Sequence, residues 1–539
     1  MNNLVISKVL VYSWFESMPG SHAFPLRRVM RRSASILGFR PACHQIVPGE
    51  LCTARVIDFR VVKLALLVLL PLTLFGQGLP AALKNSIDLM QRGQYEEAQR
   101  ELLRATREAP ESAEAFFLLG TAETQLHHAA EAEAAFRRSL TLKPKSPDTL
   151  YNLGVVLLDE KRPREAIRYF EQAAALGHAR PELSVNLIRA RLDSGDPKDA
   201  LKAAGEARKI FRNSPAFHLA LGKVFLAHGM GAEAVQSLKQ ADALAQDQPE
   251  ILFPLADACL RLADAPCVKN ALEHVPGNAR NSAEFHFLDG RAAFLANRKD
   301  DALREMETAV RREPRNVAYL LTLARYCQKY GDQKRAVDLF EQAARIDPEL
   351  PDIPYGIAVS YFIGDDFDAA ADYSSRALKL DATFDRAVFL LGISRFAKSN
   401  LADAERLLSR AIELRPDNAF YACFHGMILI STGKLPEAAL EFHRAIQLQS
   451  SYALPHYQLG RVLVRTKNYT EARLELERAI SLDPDLPEAY YQLGLVYTRL
   501  GEREKAARML AVFKKYRTGE RSERTEVLQQ AQHAMGEKP

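Results

Sequence analysis

Tryptophan occurs once in the 539 residues, at Trp14, and cysteine only six times. No Cys-x-x-Cys pair, His-Glu-x-x-His helix, phosphate-binding glycine loop or nucleophile elbow is present. Those absences remove the sequence signatures of metal-bound, nucleotide-bound and acyl-transfer chemistry, so neither catalysis nor a cofactor or metal is expected. The adjacent His127 and His128 have no acidic or cysteine companions at metal-ligand spacing and read as a solvent-exposed pair. A strong charge of one sign is also missing. The formal net charge is +5, but residues 1–78 alone hold nine basic residues against Glu16, Glu50 and Asp58. The remainder has 63 basic and 64 acidic residues, so the pI of about 8.7 belongs to the leader. Basicity therefore gives no reason to expect a nucleic-acid partner.

Long apolar runs are equally scarce. The longest stretch, Leu64–Phe75, follows Lys63 and precedes Gly76-Gln77-Gly78. A basic flank, twelve apolar residues and small residues fit a cleaved secretory signal. At 1.5 Å per residue the stretch spans ~18 Å, short of a ~30 Å hydrocarbon core. The competing reading extends the uncharged run to Leu83 as a retained anchor, against which stand Pro71, Gly76, Gly78 and Pro80. The expected location is the periplasm or the bacterial envelope, with anchoring by this segment as the alternative and no other membrane contact. Residues 1–60 lack clear periodicity and form an unusually long preface to a signal. The expectation is that translation starts nearer Lys63, at Met30 or at a start codon read here as Val61 or Val62.

What the chain has is a period. From Leu79 to Glu520 a 34-residue unit recurs thirteen times without insertion or deletion. Its twentieth position reads Ala98, Ala132, Ala166, Ala200, Ala234, Val268, Ala302, Ala336, Ala370, Ala404, Ala438, Ala472 and Ala506. Twelve residues earlier stands a second small column, which includes Gly120, Gly154, Gly222, Gly392 and Gly494 and is broken by Ile188. Four residues after the alanine a bulky residue is usual, as at Phe136, Phe170, Leu238 and Phe442. Spacings of three and four put these positions on one helical face. Glycine at the mid-unit turn (Gly93, Gly433) can end a first helix, and Pro110, Pro144, Pro314, Pro348, Pro416 and Pro484 end the second. Each unit is therefore expected to be an antiparallel helix pair that gains stability by stacking.

The unit Pro487–Glu520 carries Tyr490, Leu493-Gly494, Ala506, Leu510 and Phe513. On these residues it resembles the tetratricopeptide repeat family, and the likeness runs through 79–520. The resemblance implies an all-α, right-handed superhelical solenoid whose concave groove is lined by the first helices and binds protein or peptide. It also implies that the fifth and ninth positions face the groove. The fifth holds Phe117, Tyr151, Phe253, Phe287, Tyr355, Phe389, Tyr457 and Tyr491; the ninth holds Arg189, Lys223, Asp257, Arg291, Arg325 and Arg461. The aromatics either grip a partner or pack against the next helix. The basic residues either hold carboxylates of an acidic partner or pair with acidic second-position residues such as Glu182, Glu250 and Asp352. The lysine–asparagine clamp of members that bind acidic chaperone tails is matched only at Asn152, with Phe117, Thr121, Glu182 and Asn186 elsewhere, so that role is not expected.

The functional expectation is a non-enzymatic envelope scaffold. Its competitors are a cytoplasmic regulatory adaptor and an accessory subunit of an enzyme such as a glycosyltransferase. Residues 521–539, through Val527, Leu528 and Ala531, read as a polar capping helix. Units four and six are the least regular, and 181–282 is the expected hinge or partner-specific bend. Cys259 and Cys327 are expected to be ordinary buried cysteines, and Cys259 and Cys267 two unpaired thiols in preference to a pair across their turn.

Overall fold

A computed structural model describes residues 81–177 and 180–516. The expectations for the leader at 1–60, the signal or anchor at 61–78 and the capping helix at 521–539 lie outside those residues. Every regular element among the described residues is an α-helix, and the helices follow one another as antiparallel pairs. The fold is an all-α solenoid. Its described part divides between Asn281 and Ser282 into two units.

The first unit contains α1 (Ala81–Gln91), α2 (Tyr95–Glu108), α3 (Ala113–Gln125), α4 (Ala129–Leu142), α5 (Pro147–Asp159) and α6 (Pro163–Ala175). It continues with α7 (Pro181–Asp193), α8 (Pro197–Ile210), α9 (Pro215–Ala227), α10 (Gly231–Leu244), α11 (Pro249–Arg261) and α12 (Ala265–Glu273). The second begins with α13 (Ala283–Leu295), α14 (Lys299–Arg312), α15 (Val317–Lys329), α16 (Gln333–Ala344), α17 (Asp352–Ile363) and α18 (Phe367–Leu380). After these come α19 (Asp385–Ala397), α20 (Leu401–Leu414), α21 (Ala419–Ser431), α22 (Leu435–Leu448), α23 (Ala453–Arg465), α24 (Tyr469–Leu482), α25 (Pro487–Arg499) and α26 (503–516).

Two local devices make each pair. The fifteenth residue of all thirteen repeats has positive φ, and the next residue's N–H bonds the carbonyl five residues back. Examples are Asp196 to Arg191 at 2.9 Å and Lys434 to Leu429 at 2.9 Å. This satisfies carbonyls that a helix end leaves bare. Glycine fills the position in six repeats. The other seven force His127, Lys161, Ala263, Asn297, Asp365, Ser399 and Lys467 into the left-handed region, so the repeat imposes the turn even without glycine.

The second device is a seam between residues sixteen apart. A Cβ placed on Gly154 would lie 2.6 Å from the Phe170 ring, and one on Gly222 would lie 2.6 Å from Leu238. Only the absence of a side chain on the first helix lets the bulky residue of the second lie flat against its backbone. Gly120 with Phe136, Gly426 with Phe442 and Gly494 with Leu510 repeat the arrangement. Repeat four inverts it. Ile188 stands at the small position and Ala204 at the bulky one, both fully buried. The break in the glycine column is thus an exchange of sizes, not a loose repeat.

Neighbouring repeats are tied by side chains as well. The guanidiniums of Arg410 and Arg444 donate to the carbonyls of Ala382 and Pro416 in the preceding inter-repeat turn, at 2.8 and 3.0 Å. Those carbonyls follow helices halted near the proline column, which otherwise face solvent. Ser139 Oγ makes a buried counterpart to the Ala113 carbonyl at 2.8 Å.

Repeat six departs from the others, as the sequence suggested. Its second helix α12 has nine residues where others have twelve to fourteen, and α11 carries Pro254 in its interior. The expectation of unpaired thiols is corrected here. Cys259 and Cys267 form a disulfide across the turn, with Cα atoms 5.7 Å apart. The separation of eight residues spans the turn, and the antiparallel return brings the two chains within bridging distance. Cys327 and Cys423 are buried free thiols, and burial pushes the Cys327 thiol up to about 11.

Ile188→Gly alone should open a cavity and cost about 3 kcal/mol or more. Ala204→Leu alone should overpack and cost about 1–3 kcal/mol. The double variant should cost clearly less than the sum, measured as local opening free energy by hydrogen exchange; simple additivity would show that the two positions do not share a seam. At the turn, Lys467→Gly should raise the opening free energy of α23 and α24 by about 1 kcal/mol by relieving the left-handed lysine.

Candidate partner-binding faces

The first helices carry the residues on which binding was expected, and the two units are described separately. In the first unit, Tyr151 is 5% exposed and Phe253 is 7% exposed. The Tyr151 hydroxyl accepts a bond from Asn186 Nδ2 at 3.0 Å, and its ring lies 5.9 Å from Phe170. Both rings are core in this arrangement and present little surface. Arg189 lies 3.9 Å from Asp159 and 3.6 Å from Asp193. Lys223 is half-buried and makes no ion pair among the described residues. His127 and His128 are both exposed, but His128 Nδ1 meets the buried Glu123 at 2.8 Å, and Glu123 also accepts from Gln99.

His228 was not singled out from the sequence. Its Nδ1 faces the Val224 carbonyl and its Nε2 faces Asp193, each at 2.8 Å. Both partners can only accept, so both ring nitrogens are best satisfied when each carries a proton. Burial is the largest influence and opposes the charge. The bonds to Asp193 and Val224 and the charge of Asp193 outweigh it, and the pKa rises above the ordinary value.

In the second unit the aromatics differ in access. Tyr355 is 5%, Phe389 1% and Tyr457 4% exposed, whereas Tyr491 is 40% exposed and Phe287 is half-buried. Phe389 stacks on Tyr421 with centroids 4.9 Å apart, and Phe287 stacks on Tyr319 at 4.5 Å. Tyr491 lies 5.2 Å from Phe513. The packing role is thus realised at Tyr355, Phe389 and Tyr457, and contact surface is left at Phe287 and Tyr491.

Two ninth-position arginines, Arg291 and Arg461, sit on these rings. The Arg291 guanidinium is 5.4 Å from the Phe287 centroid, and that of Arg461 is 5.7 Å from Tyr457. Arg461 also donates to Gln458 Oε1 at 2.8 Å. Such stacking holds a planar cation in place while leaving its edge able to donate.

Arg325 is 4.0 Å from Asp352 Oδ1, beyond hydrogen-bonding reach. Arg386 reaches the same oxygen at 3.3 Å and stacks on Tyr355 and Phe384, with centroids 5.3 and 4.7 Å away. One carboxylate thus serves two guanidiniums. Burial, foremost, and the neighbouring Arg386 lower the pKa of Arg325, while Asp352 opposes them. Arg386 was missed in the sequence although a signal existed: it is the single basic residue in the second-position column, where Asp352 and Glu284 are typical.

No group of three or more His, Cys, Asp or Glu residues among the described residues could hold a metal. No helix among them is long and apolar enough to cross a membrane.

Comparison with known families agrees with this geometry. A tetratricopeptide repeat model matches residues 83–147, 125–182, 271–351, 355–419 and 389–453, together more than half of the chain. The chain belongs to the tetratricopeptide repeat family. Further models of the same repeat match 157–224, 460–501 and 488–517 in this tetratricopeptide repeat protein. These matches leave out 225–270, the stretch that enters repeat six. Comparison with curated proteins gives no match. Among solved structures, the chain is similar to one in the crystal structure of the APC/C hetero-tetramer Cut9-Hcn1. The two are 12% identical, the likeness covers 76% of this chain and 95% of that one, and the TM-score is 0.40.

For His228 the sign of the pH effect follows from its raised pKa. Its contribution to stability is complete below the unfolded value of about 6.5 and is lost as pH rises through the higher folded value. An NMR titration should place the His228 midpoint above that of an unstructured histidine, and Asp193→Asn should lower it. A midpoint unmoved by Asp193→Asn would remove the carboxylate as the cause.

Proposed function

We propose that this tetratricopeptide repeat protein is a non-enzymatic scaffold that binds an acidic protein segment on the first helices of its second unit. The observation that carries this reading is the sharing of one Asp352 oxygen by two arginines. Arg325 and Arg386 compete for one carboxylate, and Arg291, stacked on the half-buried Phe287, adds a third guanidinium to the first-helix face of the same unit. A carboxylate from a partner would complete the coordination of a half-buried cation, which makes such a bond stronger than one to a fully exposed arginine. In the first unit, Arg189 sits between two aspartates and the case for an acidic partner is weaker.

An envelope or periplasmic location is part of the proposal. Two features support it: the basic flank, short apolar run and small residues at 63–78, and the Cys259–Cys267 disulfide, which persists more readily in an oxidising compartment. Fractionation of the native host and N-terminal sequencing of the mature chain test the location. A cytoplasmic protein retaining residues 1–60 would overturn it.

Affinity purification of the full chain from the native envelope tests the binding. Arg291→Glu with Arg325→Glu should reduce capture of the partner about tenfold or more, the scale of one or two charge-assisted bonds. Capture should also fall as salt is raised. Undiminished capture by the charge-reversed chain would take these arginines out of the binding face.

A further inference from the structure

Repeat six is built from weak parts. Its first helix α11 contains Pro254, which lacks the N–H that would bond the carbonyl of Glu250. Its second helix α12 ends after nine residues, at Glu273. The turn between them places Ala263 at φ 54°, with neither the freedom of glycine nor a polar side chain to bond locally. Val268 occupies the column where twelve repeats have alanine, adding bulk where the helices approach most closely. Against these stands one compensating feature. Cys259, near the end of α11, and Cys267, near the start of α12, are covalently joined, the only disulfide among the described residues. The Asp264 side chain caps α12 by accepting from the Cys267 N–H at 3.1 Å, so the bond sits at the hinge of the pair.

We propose that the Cys259–Cys267 bond is a redox-sensitive staple: it, rather than the packing seam, holds repeat six closed, and its reduction opens this repeat while its neighbours in the first unit stay folded. The reductant is a dithiol. Its thiolate attacks Cys267 Sγ, since Cys267 is 8% exposed and Cys259 is fully buried. A mixed disulfide forms and the Sγ–Sγ bond breaks, releasing Cys259 as a thiolate that takes up a proton. The second thiol of the reductant then displaces Cys267, which also ends as a thiol. Two electrons and two protons pass to the protein, and the reductant leaves as its own disulfide. Repeat six is then held by a proline-interrupted first helix and a short second one, and the open pair exposes Leu272, Val268 and Ile251, all buried in the closed form.

The test is hydrogen exchange followed by mass spectrometry on the full-length chain, with and without dithiothreitol, alongside alkylation of free thiols. In the untreated chain Cys259 and Cys267 should resist alkylation under denaturing conditions. After reduction, peptides within 249–275 should exchange at least tenfold faster, while those from α9 and α10 keep their rates. The variant Cys259→Ala/Cys267→Ala should show the fast exchange at 249–275 without reductant and no response to it. Finding the two cysteines as free thiols in the chain purified without reductant would overturn the proposal. So would unchanged exchange after reduction, or loss of protection spread equally over α9 and α10.

Discussion

A helix that gives up a side chain so that its partner's large one can lie against bare backbone is the contact on which this molecule depends. The pairing of a small residue with a bulky one sixteen positions later recurs through the chain, at Gly154 with Phe170 and Gly460 with Leu476 among others. Helices of nine to fourteen residues are marginal alone, so their stability comes from burying one face. The seam makes that burial close. Because interiors are packed to near-crystalline density, each change on one side requires a matching change on the other. Repeat four shows this by exchanging the sizes at Ile188 and Ala204. Repeat eight shows a second solution, in which Phe340 also lies over Gly356 of the following repeat.

With the interior committed to that seam, recognition is left to the positions it does not use. Fifth-position rings at Tyr151, Phe389 and Tyr457 are absorbed into the stack, and Tyr355 and Tyr457 also seat Arg386 and Arg461. Cations held against rings keep a fixed orientation at little entropic cost. In the first unit Asp159 and Asp193 answer Arg189 locally. In the second unit Arg325 and Arg386 share one oxygen of Asp352, and this sharing directs the functional reading to one unit and one class of partner.

Local regularity is unevenly distributed, and the least regular repeat is the one with a covalent bond. Repeat six joins an interior proline, a truncated helix and an alanine in the left-handed region. Elsewhere each repeat's weakness is shared by its neighbours through side-chain ties such as Arg444 to the Pro416 carbonyl. Stability in such an array is a sum of repeat and interface terms, so a weak repeat opens at its own cost unless something local holds it.

The sequence by itself determined the helix pairs, their boundaries and their repetition. Those follow from i, i+3 and i+4 spacing, from prolines at fixed offsets and from small-residue columns, all of which are properties of a single chain read in order. The αL turn was visible where glycine marked it, at Gly93 and Gly433, and invisible at Lys161 or Ala263, where the repeat context imposes a conformation the residue itself disfavours. Only the tertiary structure decided which aromatics are core and which are surface, because burial depends on a neighbouring repeat thirty-odd residues away. It alone brought Arg386 and Arg325 to one carboxylate and closed Cys259 onto Cys267. Distances across a turn and the sharing of one carboxylate by two arginines arise from the folding back of the chain, and no linear spacing encodes them.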